Sequence, residues 1–99
     1  MKKVVLSVCA ALLAAAFVSC GGEKAAVVKI GVFEPASGDN GAGGKQETLG
    51  VQYANTVTPT VTIGGKEYKV QLEIVDNESS NDKAVTAASE LISKGVSVV

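Results

Sequence analysis

The side chains that carry most enzyme chemistry are scarce in this chain. It has no histidine, and its two cysteines are Cys9 and Cys20. The usual zinc ligand sets and the Ser-His and Cys-His nucleophile pairs therefore cannot be assembled from these residues. We expect no catalytic residue, no metal ligand and no cofactor here.

Cys20 stands where a different chemistry is expected. Two lysines at positions 2 and 3 precede an apolar run over residues 4–18, which is shorter than the roughly 20 residues of a membrane-spanning helix. This pattern is typical of a bacterial lipoprotein export signal. It predicts a signal peptide over residues 1–19 and a lipid on the Cys20 thiol. The alternatives are an ordinary secretory signal with a chance cysteine and a retained transmembrane helix.

The lipid prediction sets the location of the rest of the chain. Residues 20–26 are small and polar enough to form a lipidated tether. We therefore expect an exported protein that is anchored to the cell membrane and faces the periplasm or the cell exterior.

A glycine-rich stretch over residues 38–44 suggests anion binding. A Walker phosphate loop ending at Gly44-Lys45 would need glycine at Asp39 and a hydroxyl residue at Gln46, and a dinucleotide fingerprint would need glycine or alanine at Gln46. Both patterns fail. What remains is a carboxylate held by backbone N–H groups where a helix starts near Gly44, or simply a flexible loop.

Other polar residues have more ordinary interpretations. Ser37 has no histidine to activate it, so we interpret it as a hydrogen-bonding hydroxyl. Asp76, Glu78 and Asp82 do not match the EF-hand spacing and are interpreted as a turn and a helix cap. The net charge is −1 and the lysines are dispersed among acids, which disfavours a nucleic-acid partner.

These residues need elements that position them. Residues 27–33 are mostly β-branched and predict a buried strand, followed by a loop over residues 34–44 and a helix from Lys45. The predicted sheet-facing stripe of that helix is Gly50, Ala54 and Val57. Pro59 ends it.

A hairpin is predicted next, with arms at residues 60–63 and 67–76 around Gly64-Gly65-Lys66. A second helix starts near Ser80 or Asn81 and stops at Lys94-Gly95, and residues 96–99 begin a further strand. On the second arm, the residues expected to face the core are Tyr68, Val70, Leu72 and Ile74. On the second helix they are Val85, Ala88, Leu91 and Ile92. Tyr53 of the first helix is also expected to pack in the core.

The order strand, helix, strand, helix, strand predicts an α/β fold, the start of a doubly wound parallel sheet (βαβαβ with a β-hairpin). Ligands bind such sheets beyond the carboxyl ends of the strands. In this chain that edge is formed by residues 34–44 and 76–80.

The chain from Val28 to Val99 resembles the amino-terminal part of the leucine/isoleucine/valine-binding proteins of ABC transporters, which have the type I periplasmic-binding-protein fold. The segments that carry the resemblance are Val28-Lys29-Ile30-Gly31-Val32, Pro35-Ala36-Ser37-Gly38, residues 44–50 with Ala54, Gly64-Gly65-Lys66, Glu73-Ile74-Val75-Asp76-Asn77, and residues 83–85, 91–92 and 95–96.

The resemblance implies a solute-binding lipoprotein that captures an amino acid, of the branched-chain type or similar, between two lobes and delivers it to ABC permease subunits. Residues 27–99 would be a truncated first lobe, and the main ligand-binding residues of the family would follow Val99. The family often has an aromatic residue where this chain has Gly43. Ser37, Gly43 and Gly44 are the ligand-binding candidates that remain.

Two alternatives stay open. One is a ligand-sensing receptor of the same fold that reports to a membrane kinase or chemoreceptor. The other is an exported α/β enzyme, for which sequence beyond Val99 would have to supply histidine or metal ligands.

Overall fold

The structure, a computed structural model, describes residues 24–99. The predicted signal peptide, the lipid attachment at Cys20 and the first residues of the tether lie outside this range. The described chain is a mixed α/β unit with the elements β1 Val27–Glu34, α1 Gly41–Val57, β2 Thr60–Ile63, β3 Lys66–Asp76 and α2 Asn81–Ser93.

The three strands form one mixed sheet in the order β1-β3-β2. β1 and β3 are parallel, with Val27 opposite Lys69 and Glu34 opposite Asp76, as predicted for a strand pair joined by a helix. β2 and β3 are the antiparallel arms of the predicted hairpin. Gly64 and Gly65 make its turn with φ of 57° and 80°, a left-handed pair that glycine adopts without strain.

The segment after α2 lies along the other edge of β1. The Gly31 N–H donates to the Val98 carbonyl oxygen at 2.8 Å, and the Ser97 N–H donates to the Lys29 carbonyl oxygen at 2.8 Å. Ile30 and Val98 form a parallel bridge. Residues 96–99 are predicted to begin a further strand. The structure shows one parallel bridge there, between Val98 and Ile30, and no full strand in that segment of the described residues.

The two helices lie on opposite faces of the sheet. A Cβ at Gly31 would lie 3.2 Å from Leu91 Cδ1, so the Gly31 side of β1 faces α2. Residues one position away, such as Ile30, point to the other face and line a cavity with α1 residues.

Val32 and Val70 are buried on the α1 face of the sheet, and a separate core cluster lies under α2. Val75, Ala87 and Leu91 form it, with Phe33 and Val96 packed against them. The prediction for α2 is therefore only partly right, because Leu91 is fully buried whereas Val85 and Ile92 are exposed. Ala87 and Leu91 are four positions apart and form the stripe that faces the sheet, whereas Val85 and Ile92 lie off that stripe.

Polar residues of the same sheet face form an ion-pair network. Glu73 lies 3.8 Å from Lys29 Nζ and 3.7 Å from Lys94 Nζ, and Glu90 lies 2.9 Å from Lys94 Nζ. Lys29 Nζ also donates to the Lys94 carbonyl oxygen at 2.9 Å. This network ties the carboxyl end of α2 to both parallel strands.

Three predictions about α1 are wrong. The helix begins at Gly41 rather than Lys45, and Gly41 and Gly44 of its first turn pack closely against the loop after β1. The stripe predicted to face the sheet is exposed: Gly50 has no neighbour within 4 Å for a Cβ, and Val57 is exposed. The side chain of Tyr53 is 72% exposed instead of packed in the core.

Candidate ligand-binding edge of the sheet

The loops after β1 and β3 meet at one edge of the sheet because Glu34 and Asp76 end their strands side by side. The Asp76 carboxylate joins the two loops. Its Oδ1 accepts from the Ala36 N–H and from the Glu78 N–H, both at 2.7 Å, and its Oδ2 accepts from the Ser37 hydroxyl at 2.7 Å. Asp76 therefore organises the edge.

These hydrogen bonds lower the pKa of Asp76 below its ordinary value of 3.8, with the Ala36 N–H as the largest cause and the Ser37 hydroxyl next. Hydrogen bonds to the ionised form stabilise it relative to the neutral acid. The interpretation of Asp76 as a turn residue is confirmed by its bond to the N–H two residues later. Its bonds across to the β1 loop have no counterpart in the sequence pattern.

Ser79 makes a second connection between the loops. Its hydroxyl donates to the Ser37 carbonyl oxygen at 2.8 Å and accepts from the Asn40 N–H at 3.0 Å. Glu78 and Ser79 have left-handed backbones, with φ of 55° and 54°. Such conformations cost free energy in residues other than glycine and persist where surrounding bonds hold them.

Ser37 is a hydrogen-bonding hydroxyl, as interpreted, and its proton is directed to Asp76. The hydroxyl oxygen keeps acceptor capacity, and the residue is exposed. Its role in ligand binding stays a prediction.

Gly38 and Gly44 are required by close packing. Gly38 has φ of 75°, and a Cβ there would overlap the Glu78 carbonyl oxygen. A Cβ at Gly44 would overlap the Pro35 carbonyl oxygen, and Gly44 is buried. The contact with Pro35 explains why glycine occurs where the helix crosses the β1 loop.

Gly43 differs from Gly44. It is exposed, and a Cβ there would meet nothing within 4 Å. The N-cap residue of α1, Asn40, makes no side-chain capping bond, and the first turn of α1 has no acidic residue. The first N–H groups of a helix have no partner within the helix. Here the Asn40 N–H donates to the Ser79 hydroxyl and the Gly41 N–H to the Gly38 carbonyl oxygen, so among the described residues the N–H groups of Ala42 and Gly43 are the free donors at this helix start.

Glu34 and Glu47 form a carboxyl pair near this edge that the sequence pattern did not indicate. Their shared hydrogen bond is the main cause that raises the pKa of Glu34 above its ordinary value of 4.5. The pair lies thirteen positions apart in sequence, and no local spacing rule connects such residues.

Among the described residues, three cavities lie between α1 and the sheet. One of about 570 Å³ is bordered by Gln52, Asn55 and Lys69 among others, and two more bear on the site. The one near the edge has a volume of about 290 Å³ and is bordered by Glu34, Lys45 and Asp76. The other, about 530 Å³, is mostly apolar and is bordered by Ile30 and Leu72 among others. Asn55 also lines this mostly apolar cavity, and its Oδ1 atom is buried without a hydrogen-bond partner among the described residues.

Within residues 24–99, no group of three or more His, Cys, Asp or Glu side chains is placed to hold a metal ion. In the same part of the chain, no helix combines the length and the apolar character needed to cross a membrane.

No family model matches the chain, and no curated protein or solved structure is significantly similar to it.

Proposed function

We propose that this chain is the first part of lobe one of a type I periplasmic-binding-protein domain. In this proposal Cys20 carries the lipid that holds the protein on the outer side of the membrane. The full-length protein binds an amino acid, of the branched-chain type or similar, and delivers it to the permease subunits of an ABC importer.

The observation that carries the proposal is the strand arrangement around β1. β3 lies on one side of β1, and the segment containing Val98 lies parallel on the other side. Successive strands are therefore added first on one side of β1 and then on the other, so the order of strands in the sheet reverses at β1. In doubly wound sheets this reversal opens a crevice beyond the carboxyl ends of the strands, where ligands bind.

The chemistry of the edge supports an amino acid as the ligand. The start of α1 offers the backbone N–H groups of Ala42 and Gly43 and the positive end of the helix dipole to a carboxylate. Gly43 leaves open space beside those donors. Closure of a second lobe over this edge would exclude water, and a ligand that contacts both lobes would shift the population toward the closed form.

The binding test is calorimetry on the full-length protein with a panel of amino acids. We expect at least one to bind with a defined stoichiometry. Failure of the whole panel to bind would remove the transport proposal.

The position of the site is tested with two glycines of the same helix that both face open space. Gly43→Phe should weaken binding or change the preferred amino acid, because the new ring enters the proposed crevice. Gly50→Phe changes the helix propensity of α1 in the same way but lies away from the edge, so it should leave binding unchanged. Equal effects of the two substitutions would count against a site at Gly43.

The anchor is tested independently of binding. Cys20→Ala removes the only thiol proposed to carry lipid, so we expect the protein to leave the membrane fraction and appear in the soluble one. Membrane retention that is unchanged by Cys20→Ala would contradict the anchor and leave the binding proposal intact.

A further inference from the structure

The tether enters the sheet next to the β2-β3 hairpin. The Lys69 N–H donates to the Ala26 carbonyl oxygen at 2.8 Å, which places the first described residues beside the amino end of β3. Lys24 and Ala26 border a surface concavity with Lys66 and Glu67. The chain that leads to Cys20 therefore leaves the sheet at the edge opposite to Asp76.

This edge is basic. Among described residues 24–26 and 60–69 there are three lysines, Lys24, Lys66 and Lys69, and one acidic residue, Glu67. Lys66 and Lys69 are exposed, and the Lys66 ammonium lies 5.6 Å from the centre of the Tyr68 ring. We call these three lysines the basic edge.

The opposite edge is acidic. Residues 34–45 and 76–83 contain five carboxylates and two lysines. The eight residues of β1 separate the two edges by about 25 Å at the usual rise of a strand. At 0.1 M salt this separation is more than two Debye lengths of about 10 Å, so a charged surface at one edge is screened from the other.

We propose that the basic edge is the surface that rests against anionic lipid headgroups while the protein is anchored and not engaged with its permease. The proposal rests on the lipid at Cys20. Four residue steps join Cys20 to Lys24, a span of at most about 14 Å, so the basic edge cannot move far from the headgroups. The Asp76 edge then faces outward, where solute arrives.

Electrostatics favours this orientation over the inverted one. Lysines near an anionic leaflet are attracted to it, whereas inversion would bring the five carboxylates of the opposite edge to the same surface. Both the tether and the charges select the same side.

The test uses the full-length lipidated protein in vesicles of phosphatidylethanolamine and phosphatidylglycerol. A fluorophore is attached at Thr62→Cys, beside the basic edge, or at Ala42→Cys, at the Asp76 edge. Both parent residues are exposed and neither substitution changes charge. Lipids with a nitroxide on the headgroup should quench the probe at position 62 strongly and the probe at position 42 weakly.

The charge contribution is tested with the single variants Lys66→Glu and Lys69→Glu and with both combined, and Lys83→Glu on α2 is the control for each single variant. The double variant should lower quenching at position 62 severalfold, as should replacement of phosphatidylglycerol by phosphatidylcholine, and Lys83→Glu should not. Equal quenching at positions 62 and 42, or quenching at 62 that ignores both changes, would overturn the proposal.

Mass spectrometry of the same samples separates the two proposals. A missing diacylglyceryl mass on Cys20 would overturn the anchor together with the orientation. A lipidated protein that fails the quenching test would overturn the orientation alone.

Discussion

The two faces of the sheet are built differently. On the α2 face Leu91 is fully buried and packs with Val75 and Ala87, and the ion-pair network of Glu73 closes the remaining part. On the α1 face Val32 and Val70 are buried, but cavities lie between helix and strands.

The two helices also differ in how they are attached to the rest of the protein. Leu49 and Tyr53 point largely to solvent, and the buried residues of α1 are the glycines Gly41 and Gly44 at its start. α1 is thus held at its amino end by close backbone contact with the β1 loop, whereas α2 is held along its length by side chains. A helix attached in the first way contributes less buried apolar area and is more easily displaced.

The largest expected effect lies on the α2 face. Leu91→Ala should lower the free energy of unfolding by about 2–5 kcal/mol, because it removes buried methyl groups and leaves a cavity under the helix. Denaturant unfolding of the full-length protein measures it. Ile92→Ala, at a side chain that is 73% exposed, is the control and should change stability by less than about 0.5 kcal/mol. Similar losses for both would mean that α2 does not pack as described.

The existence and type of every element in the described chain could be predicted from the sequence, because strand-like runs, glycine turns and Pro59 mark them locally. The parallel pairing of β1 and β3 followed from the order of elements. Which side chains of each helix face the sheet was harder to predict. Val85 and Ile92 are as apolar as Leu91, and the hydropathy of the side chains does not show that the stripe of Ala87 and Leu91 is the one that faces the sheet.

The position of the candidate edge could be predicted from the sequence, but the contacts that form it could not. The rule for carboxyl ends of strands places residues 34–44 and 76–80 together. The Asp76 bonds to Ala36 and Ser37 join residues about forty positions apart, and the conflict of a Gly44 Cβ with Pro35 depends on the path of the loop. Such contacts arise from tertiary geometry, which residue spacing does not record.

The attachment of α1 is tested next. Gly44→Ala should lower the free energy of unfolding by about 1–3 kcal/mol, because the new Cβ forces the helix away from the Pro35 carbonyl. Gly43→Ala meets open space and should raise stability by up to about 1 kcal/mol through helix propensity. The two variants differ by one position and share the same chemistry. A stabilising Gly44→Ala would show that α1 is not seated on the β1 loop.

The α1 face of the sheet contains a position where a substitution should raise stability. Asn55 Oδ1 is buried without a partner among the described residues, and Asn55→Leu should raise the free energy of unfolding by about 1 kcal/mol, because it removes an unsatisfied acceptor and adds apolar volume to the cavity. Asn55→Ala removes the acceptor without filling the space and should gain less. A loss of stability in Asn55→Leu would mean that the amide has a partner in the folded protein.

The smallest expected effect connects the two faces through Asp76, whose carboxylate holds the loop before α1 to the loop before α2. Its pKa is lowered in the folded protein, so the stabilisation is present above pH 3.8, the ordinary value, and is lost as the pH falls through the folded pKa. Because α1 depends on this loop and α2 has its own core, acid should release α1 first. Hydrogen exchange at pH values below 3.8 should show faster exchange of α1 amides than of α2 amides. Asp76→Asn should show the same difference between the helices at neutral pH and little further change on acidification, and uniform loss of protection in both helices would contradict the weaker attachment of α1.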